Sequence, residues 1–550
     1  MSPHGGDGSG HRRTDGDGAA PETQVVDTEA MLSGTGAGAE GGIVVPWAVL
    51  FRHRMHHRVA RSERYQWWVL WTVLAGLLSV NITFTVFVVA LPEVARQLHT
   101  TVSTLTWTST GPLLAFGVAA PILGKLGDLR GYKKLYLWGL SGAALSVVLT
   151  ASAPTAGVLI TARLFDGIQG AATGAASMAL VLQAFSHQDR VKALGWWALV
   201  GAGGPVLGVT VGAPVIQYFG WRALFWGELP LMACAAVLAI VVLPSRAPAT
   251  DPGPTGGGSA TVGPAGPAVG TPGPGGWDQM DWTGTWTLAV AVTAGLLAVN
   301  EAPSWGITGP ATLAVAGLAL VALVAFVVHE RRAPHPLIPL RYFRRRNFVF
   351  PLGARAMTNF SYMGGFFLFP ILAERVYHYS ETRAGLESTA RPLLFSIVAP
   401  AAGYAAVKVG ERLLVVLGAL TLTGSMVVFT QLGGDPSQVA ILGALALSGI
   451  GIGLATPTTV SSSSNEVSPD ELGVMSAAQQ LVTQIGIVAG IQVMVSVQAS
   501  DHGGVGSLAS FHRAYAVGAV VALLAGVCGL FMRDTPRSGT AAAVAELTIG

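Results

Sequence analysis

The chain has 550 residues, 51% of them hydrophobic and only 11% charged, whereas soluble chains carry about 25% charged residues, so water is not the solvent it is built for. A formal net charge of +3 is too small to bring in a nucleic-acid partner. The two cysteines, Cys234 and Cys528, each sit in an apolar run and supply neither a disulfide framework nor a zinc site.

Residues 1–64 read as a polar tail, whose first forty or so residues are rich in Gly, Asp and Thr and lack the short apolar core of a cleaved signal peptide. The tail ends in a basic stretch that holds His53, His56 and His57; no metal site is assigned to them, and no cofactor to the chain. A membrane crossing takes roughly 20 apolar residues to cover about 30 Å of hydrocarbon. On that measure six spans come first, at about 66–92, 104–126, 135–153, 157–185, 193–215 and 223–244, within an N-terminal unit 65–244. Residues 245–281 are Pro- and Gly-rich, cannot form a core and read as a linker. Two spans at 282–300 and 311–328 form a hairpin. Six more, at about 347–372, 384–407, 413–432, 439–458, 473–499 and 512–532, make a C-terminal unit 347–532, and a tail of 533–550 follows. The predicted fold class is therefore an all-α polytopic membrane protein with two six-helix bundles, an inserted hairpin and 14 transmembrane helices. The 71 glycines suit helices that pack closely through small residues.

Lys and Arg fix the orientation. With the N-terminus in the cytoplasm, 24 of the 32 positive residues fall in cytoplasmic segments. The dense clusters run Arg52 to Arg64, Lys125 to Lys134 and Arg331 to Arg346. Only Arg96, Arg222, Arg375, Arg383 and Arg513 lie outside, and Arg163, Arg355 and Arg391 fall within spans. Both termini and the linker are thus expected in the cytoplasm, in a multi-pass protein of the cell membrane. An internal repeat supports the division into halves. GKLGDLRGYKKL from Gly124 and GYAAVKVGERLL from Gly403 both carry two glycines seven apart, and a basic residue, Lys133 or Arg412, two after the second. Repeats of this kind build midplane sites between two halves in many secondary transporters. No G-x-x-x-x-G-K-[ST] loop is present to drive an ATP pump, and there is no H-E-x-x-H and no Ser/His/Asp set in a recognisable context, so no enzyme is expected.

At these residues the chain resembles the major facilitator superfamily, and within it the fourteen-helix drug:proton antiporter-2 branch, over about 66–532. Gly124–Lys134 is similar to the signature loop between helices two and three. The resemblance implies a cytoplasmic gate built from Gly124, Asp128, Arg130, Gly131 and Lys133, with Asp128 pairing with helix ends or basic groups across it. Arg163-Leu-Phe-Asp166-Gly-Ile-Gln-Gly170 resembles the helix-four motif built around a buried Arg, with Asp166 where the family often has Gln. Gly204-Pro205-Val-Leu-Gly208 resembles the antiporter motif of helix five, although Val209 and Val200 stand where Gly is usual. Gly220-Trp221-Arg222 and HPLIPLRYFRRRNF from His335 are further likenesses. One departure bears on mechanism: the helix-one Asp of the family is Thr83 here, with Asn81 and Thr85 nearby.

Ionisable groups at membrane depth are costly and default to function. Arg163 and Asp166, three apart, share a helix face, and the resemblance places that helix on the central cavity. Arg355, Asn359 and Tyr362 form one polar stripe in span nine. Glu228 in span six is a further candidate for coupling or for a pairing role. Glu387 and Arg391, four apart, read as a structural pair. Gln480, Thr483, Gln484 and Gln492 read as interhelical hydrogen-bonding groups. Trp67, Trp68, Trp196, Trp197, Trp221 and Trp282 read as an interfacial belt. The resemblance implies a proton-coupled exporter of small amphipathic molecules, drugs or antibiotics, working by alternating access as a monomer in the lipid bilayer. The alternatives are a facilitator or importer on the same fold, or a membrane sensor that does not transport.

Overall fold

A computed structural model describes residues 64–243, 281–499 and 507–534, except residues 101, 106, 307 and 335 and the side chains of some helical residues, chiefly 82–93. The N-terminal tail with His53, His56 and His57, the Pro/Gly linker and the C-terminal tail beyond residue 534 lie outside the described residues. Among the described residues there is no strand. Fourteen helices of 20 residues or more follow in order: α1 (Tyr65–Gln97), α2 (Trp107–Arg130), α3 (Tyr132–Ala151), α4 (Ala156–Ala184), α5 (Arg190–Phe219), α6 (Trp221–Val242), α7 (Trp282–Trp305), α8 (Pro310–Glu330), α9 (Arg346–Arg375), α10 (Ala390–Val409), α11 (Glu411–Gln431), α12 (Gln438–Ser464), α13 (Leu472–Ala499) and α14 (Leu508–Leu530). Short helices Val102–Leu105 and Glu381–Ser388 precede α2 and α10.

Eleven of the described helices are long and apolar enough to cross a membrane, which makes this a multi-pass membrane protein. α4 is not among them. α12 runs six residues beyond the predicted end at 458. In its hydroxyl-rich last turns Thr459, Ser463 and Ser464 donate to the carbonyls of Ala455, Thr459 and Val460, while the buried Ser461 and Ser462 hydroxyls have no hydrogen-bond partner among the described residues.

The two halves pack alike. α1 lies against α4, α5 and α6, α3 against α4 and α6, and α2 against α4. In the same pattern, α9 lies against α12, α13 and α14, α11 against α12 and α14, and α10 against α12. Each helix of the first half thus has its counterpart eight helices later. The repeat seen in the sequence is geometric as well: Gly131 and Gly410 turn the chain between α2 and α3 and between α10 and α11 at φ 91° and 96°, a region that disfavours side chains. The halves meet where α5 packs on α10 and α2 on α13. The hairpin α7–α8 sits beside the second seam, with α7 against α2 and α13. Leu318, Leu320, Val321 and Val324 of α8 are exposed, as befits a lipid-facing helix.

The aromatic belt is only partly interfacial. Trp68 and Trp282 are exposed, but Trp221 and Trp197 are buried. Their indole N–H groups donate to Gln97 and Ser177. Position near a span end does not distinguish a ring facing lipid from one turned inward to a polar acceptor.

Candidate functional site

The two halves are fastened at one end of the bundle. α2 brings Asp128 to the first turn of α13, where Oδ1 accepts the Gly473 N–H at 2.8 Å and Oδ2 the Val474 N–H at 3.0 Å. Tyr132, at the start of α3, also donates its hydroxyl to Asp128 and accepts from Gly473 N–H. A carboxylate at a helix N-terminus meets unpaired amide donors and the positive end of the helix dipole, so this contact is favourable and directional. The approach requires glycine on both sides. A Cβ on Gly124 would lie 2.6 Å from the Gly473 carbonyl and would collide with Ala477.

Gly403, the repeat partner of Gly124, does the same at the other seam: a Cβ there would lie 2.5 Å from the Val191 carbonyl of α5. Gly195 of α5 in turn packs on Ala399 and Pro400. Arg190 donates to Asn465 at 3.2 Å, and the Trp196 indole to the Tyr404 hydroxyl at 3.4 Å. All these contacts gather at the ends of the helices joined by the Gly131 and Gly410 turns.

Of the expected gate residues, Gly124 and Asp128 make contact across the halves. Gly131 serves the turn, and a Cβ added there would meet no atom within 4 Å. Arg130 ends α2, where a cation suits the helix dipole. Lys133 donates to the Ile240 and Leu243 carbonyls at the end of α6, within its own half. Lys125 takes a role that sequence reasoning missed, donating to the Pro336 carbonyl at 3.2 Å in the loop after α8. Tyr132 was missed too, although its place four residues after Asp128 was a legible signal.

A second fastening joins the short 3-10 helices Leu340–Arg344 and Pro469–Glu471. The Glu471 carboxylate accepts from Arg341, Tyr342 and Ser468. Burial alone pushes its pKa up, but these hydrogen bonds outweigh burial and hold it below the ordinary carboxylate range.

Deeper in the bundle, Arg163 and Asp166 form an ion pair at 2.6 Å. Arg163 is buried and also reaches the Thr108 carbonyl of α2 at 3.4 Å. Asp166 is 21% exposed and takes a second hydrogen bond, 2.6 Å, from Gln169. Gly174, further along α4, faces the Gln480 amide of α13, so the helix carrying the pair borders the opposite half.

The span-nine stripe separates into distinct environments. Arg355 is buried and donates to Thr483 of α13 at 2.6 Å, leaving its Nη1 without a hydrogen-bond partner. Asn359 donates back to the Arg355 carbonyl at 2.8 Å. Tyr362 packs its ring edge-on against Phe395 of α10. No hydrogen bond between described residues joins these three to the Arg163–Asp166 pair.

The expected Glu387–Arg391 pair is not formed. Glu387 pairs with Arg383 at 2.9 Å, one turn earlier in the same short helix. Arg391 turns inward instead, fully buried, with its guanidinium 5.4 Å from the Phe429 ring and 3.5 Å from the Tyr362 carbonyl. Among the described residues neither Arg355 nor Arg391 has a carboxylate within ion-pair distance. Since guanidinium groups stay charged, the C-terminal interior carries positive charge.

Glu228 is buried on the inner stripe of α6, which packs on α1, α3 and α5. Gly204 packs closely on Asn81 of α1, its Cβ position 2.8 Å from that of Asn81. The surroundings of Pro205 and Gly208, and the side chains of Thr83 and Thr85, lie outside the described residues.

Known proteins share this architecture. A family model described as Major Facilitator Superfamily matches residues 73–491. The chain is 26% identical over 446 residues to the tetracenomycin C resistance and export protein of Streptomyces glaucescens, covering 80% of this chain and 77% of that one. It is 28% identical to the puromycin resistance protein pur8 of Streptomyces alboniger over 80% of this chain and 84% of that one, and 26% identical to the multidrug resistance protein Stp of Mycobacterium tuberculosis over 77% and 74%. In fold it is similar to the human organic anion transporter MFSD10, with a TM-score of 0.58, 17% identity, and coverage of 84% of this chain and 99% of that one.

Proposed function

Since the chain belongs to the major facilitator superfamily, we propose that it is a proton-coupled exporter of small amphipathic molecules that works by alternating access of its two halves. The printed names of its relatives, proteins of antibiotic resistance, multidrug resistance and export, support that direction and substrate class. The observation that carries the coupling is the Arg163–Asp166 pair, an acid at membrane depth held by a neighbouring cation and not wholly sealed from solvent. Substrate or a conformational change weakens that contact, Asp166 takes a proton, and the pair re-forms when the proton leaves. The Asp128 clasp is the cytoplasmic gate. Fastened as here, it holds the site closed toward the cytoplasm, and its release admits substrate. The basic loops orient this end and both termini to the cytoplasm of the cell membrane. Arg355 and Arg391, buried without carboxylate partners among the described residues, favour neutral or anionic amphiphiles over lipophilic cations.

Reconstituted into liposomes carrying an internal pH dye, the protein should move protons when substrate is added from a panel of antibiotics. Expression in an efflux-deficient host should raise resistance to the same compounds. Substrate movement without proton movement would assign a facilitator, and binding without either would assign a sensor.

A further inference from the structure

The inserted hairpin ends beside the gate in a pair of carboxyl groups that the transport path does not use. Asp281 caps α7, its Oδ1 accepting the Gly284 N–H at 2.8 Å. Glu330 closes α8, its Oε1 accepting the Ile338 N–H at 2.5 Å. The second oxygen of each, Asp281 Oδ2 and Glu330 Oε2, is buried without a hydrogen-bond partner among the described residues. Glu330 is only 4% exposed. Both bare oxygens converge on Gly284: a Cβ there would collide with Asp281 Oδ2 and lie 3.1 Å from Glu330 Oε2. Two buried carboxylates facing one glycine repel each other when both are ionised, and one proton on the pair removes that repulsion.

The other described charged groups around the pair leave that need unmet. His329, in the last turn of α8, has Nε2 2.8 Å from Asp281 Oδ1, the oxygen already in use. Arg331 and Arg332, next along the chain, are exposed. From α2, Lys125 goes to the Pro336 carbonyl and Asp128 to the start of α13. From α13, the side chains that share a cluster with Leu337 and Ile338 are apolar: Val474, Leu481 and Val488.

The pair is wired to the gate. Glu330 holds the Ile338 amide, and Leu337 and Ile338 pack in one cluster with Val474. The Val474 N–H is one of the two α13 amides that clasp Asp128. Lys125, one turn before Asp128 in α2, grips the same loop at Pro336. The segment 336–338 therefore touches both sides of the α2–α13 contact.

We propose that Asp281 and Glu330 form a proton-binding site in the hairpin, and that its occupancy sets how firmly the 336–338 segment braces the gate. With the proton bound, Glu330 donates to Asp281 through Oε2, keeps Ile338 through Oε1, and the brace holds. With the proton lost, two facing carboxylates repel, Glu330 swings toward Arg331 and Arg332, and the segment loosens. Cytoplasmic acid closes the gate and alkali frees it. The inference rests on reading the Asp128 clasp as the cytoplasmic gate, but it needs no transported substrate.

The test uses the purified full-length protein with Cys234 and Cys528 replaced by Ala and one cysteine introduced by Ser476→Cys, a position buried in the first turns of α13. Its rate of modification by a maleimide is normalised to that of an exposed reference, Gln188→Cys. The normalised rate should rise several-fold from acid to mildly alkaline pH. Glu330→Gln and Asp281→Asn each keep the backbone bond of the acid they replace and bring an amide that donates to the other, so both should stay slow at every pH. A rise that survives in both variants would belong to Asp128 and overturn the proposal, as would a flat profile without them. Hydrogen exchange at the Ile338 amide gives an answer in the unsubstituted protein: its protection factor should fall over the same pH interval, and a constant value would overturn the proposal. Neither readout depends on proton-coupled export, so failure here and failure of the transport reading are distinguishable.

Discussion

Gly124 of α2 and Gly473 of α13 each occupy the space that the other's side chain would need. A Cβ on the first would stand 2.6 Å from the carbonyl of the second, and a Cβ on the second 2.5 Å from the carbonyl of the first. Backbone meets backbone with no flexible side chain to yield. Gly473→Ala should therefore push the two helices apart, at about 1–3 kcal/mol for an overpacked contact. The expected result is faster modification of a cysteine at Ser476 and weaker export at normal abundance. An unchanged labelling rate would show that the contact yields more easily than its geometry implies.

Asp128→Ala removes the acceptor for two amides of α13. Hydrogen bonds to a charged group contribute roughly 1.5–3 kcal/mol each, so losing both should cut the population of the closed gate about a hundredfold or more. Membrane insertion and abundance should stay near normal, because the residue sits at a helix end, and transport should fall sharply. A fully active Asp128→Ala protein would show that the clasp is not part of the cycle.

Lys133 gives the contrasting case. It serves the last carbonyls of α6, so Lys133→Met should lower thermal stability by roughly 0.3–1 kcal/mol, the usual effect of a cation at a helix C-terminus. Labelling at Ser476→Cys should not change. Gate opening in this variant would return Lys133 to the role that the sequence first implied for it.

Asp166→Asn should abolish proton-driven export while preserving substrate binding, since Asn keeps the shape and an acceptor for Gln169 but takes no proton. Binding is read by equilibrium dialysis and export by uptake into inverted vesicles under an imposed pH gradient. Export against a gradient with unchanged pH dependence would remove Asp166 from the coupling path and make Glu228 the next acid to test.

Glu471 carries a pH prediction for the loop before α13. Its pKa is depressed in the folded chain, so its contacts with Arg341, Tyr342 and Ser468 stabilise the loop above the ordinary Glu value of about 4.3. That stabilisation is lost as pH falls through the lower folded value. Hydrogen exchange at Ser468, whose N–H donates to Tyr342, should be steadily protected near neutrality and lose protection only in strong acid. Glu471→Gln should abolish this acid-dependent step, and a step that persisted in the variant would belong to another group.

The amino-acid sequence by itself determined the helices, their number and their repeat, because hydropathy, glycine spacing and basic loops are local properties that each segment carries alone. It also marked Asp128, Gly124 and the Arg163–Asp166 pair, whose partners are an adjacent turn or a helix end of a recurring kind. Which side chain meets which across helices was decided only by the tertiary structure. Lys133 went to α6, Glu387 took Arg383 rather than Arg391, and Arg391 was left among aromatic rings. Asp281 and Glu330, at opposite ends of the hairpin, were brought to one glycine. Helical spacing says which residues share a face but not which neighbour that face meets. The choice among nearby partners of equal charge is made by the rotation and depth at which each helix packs.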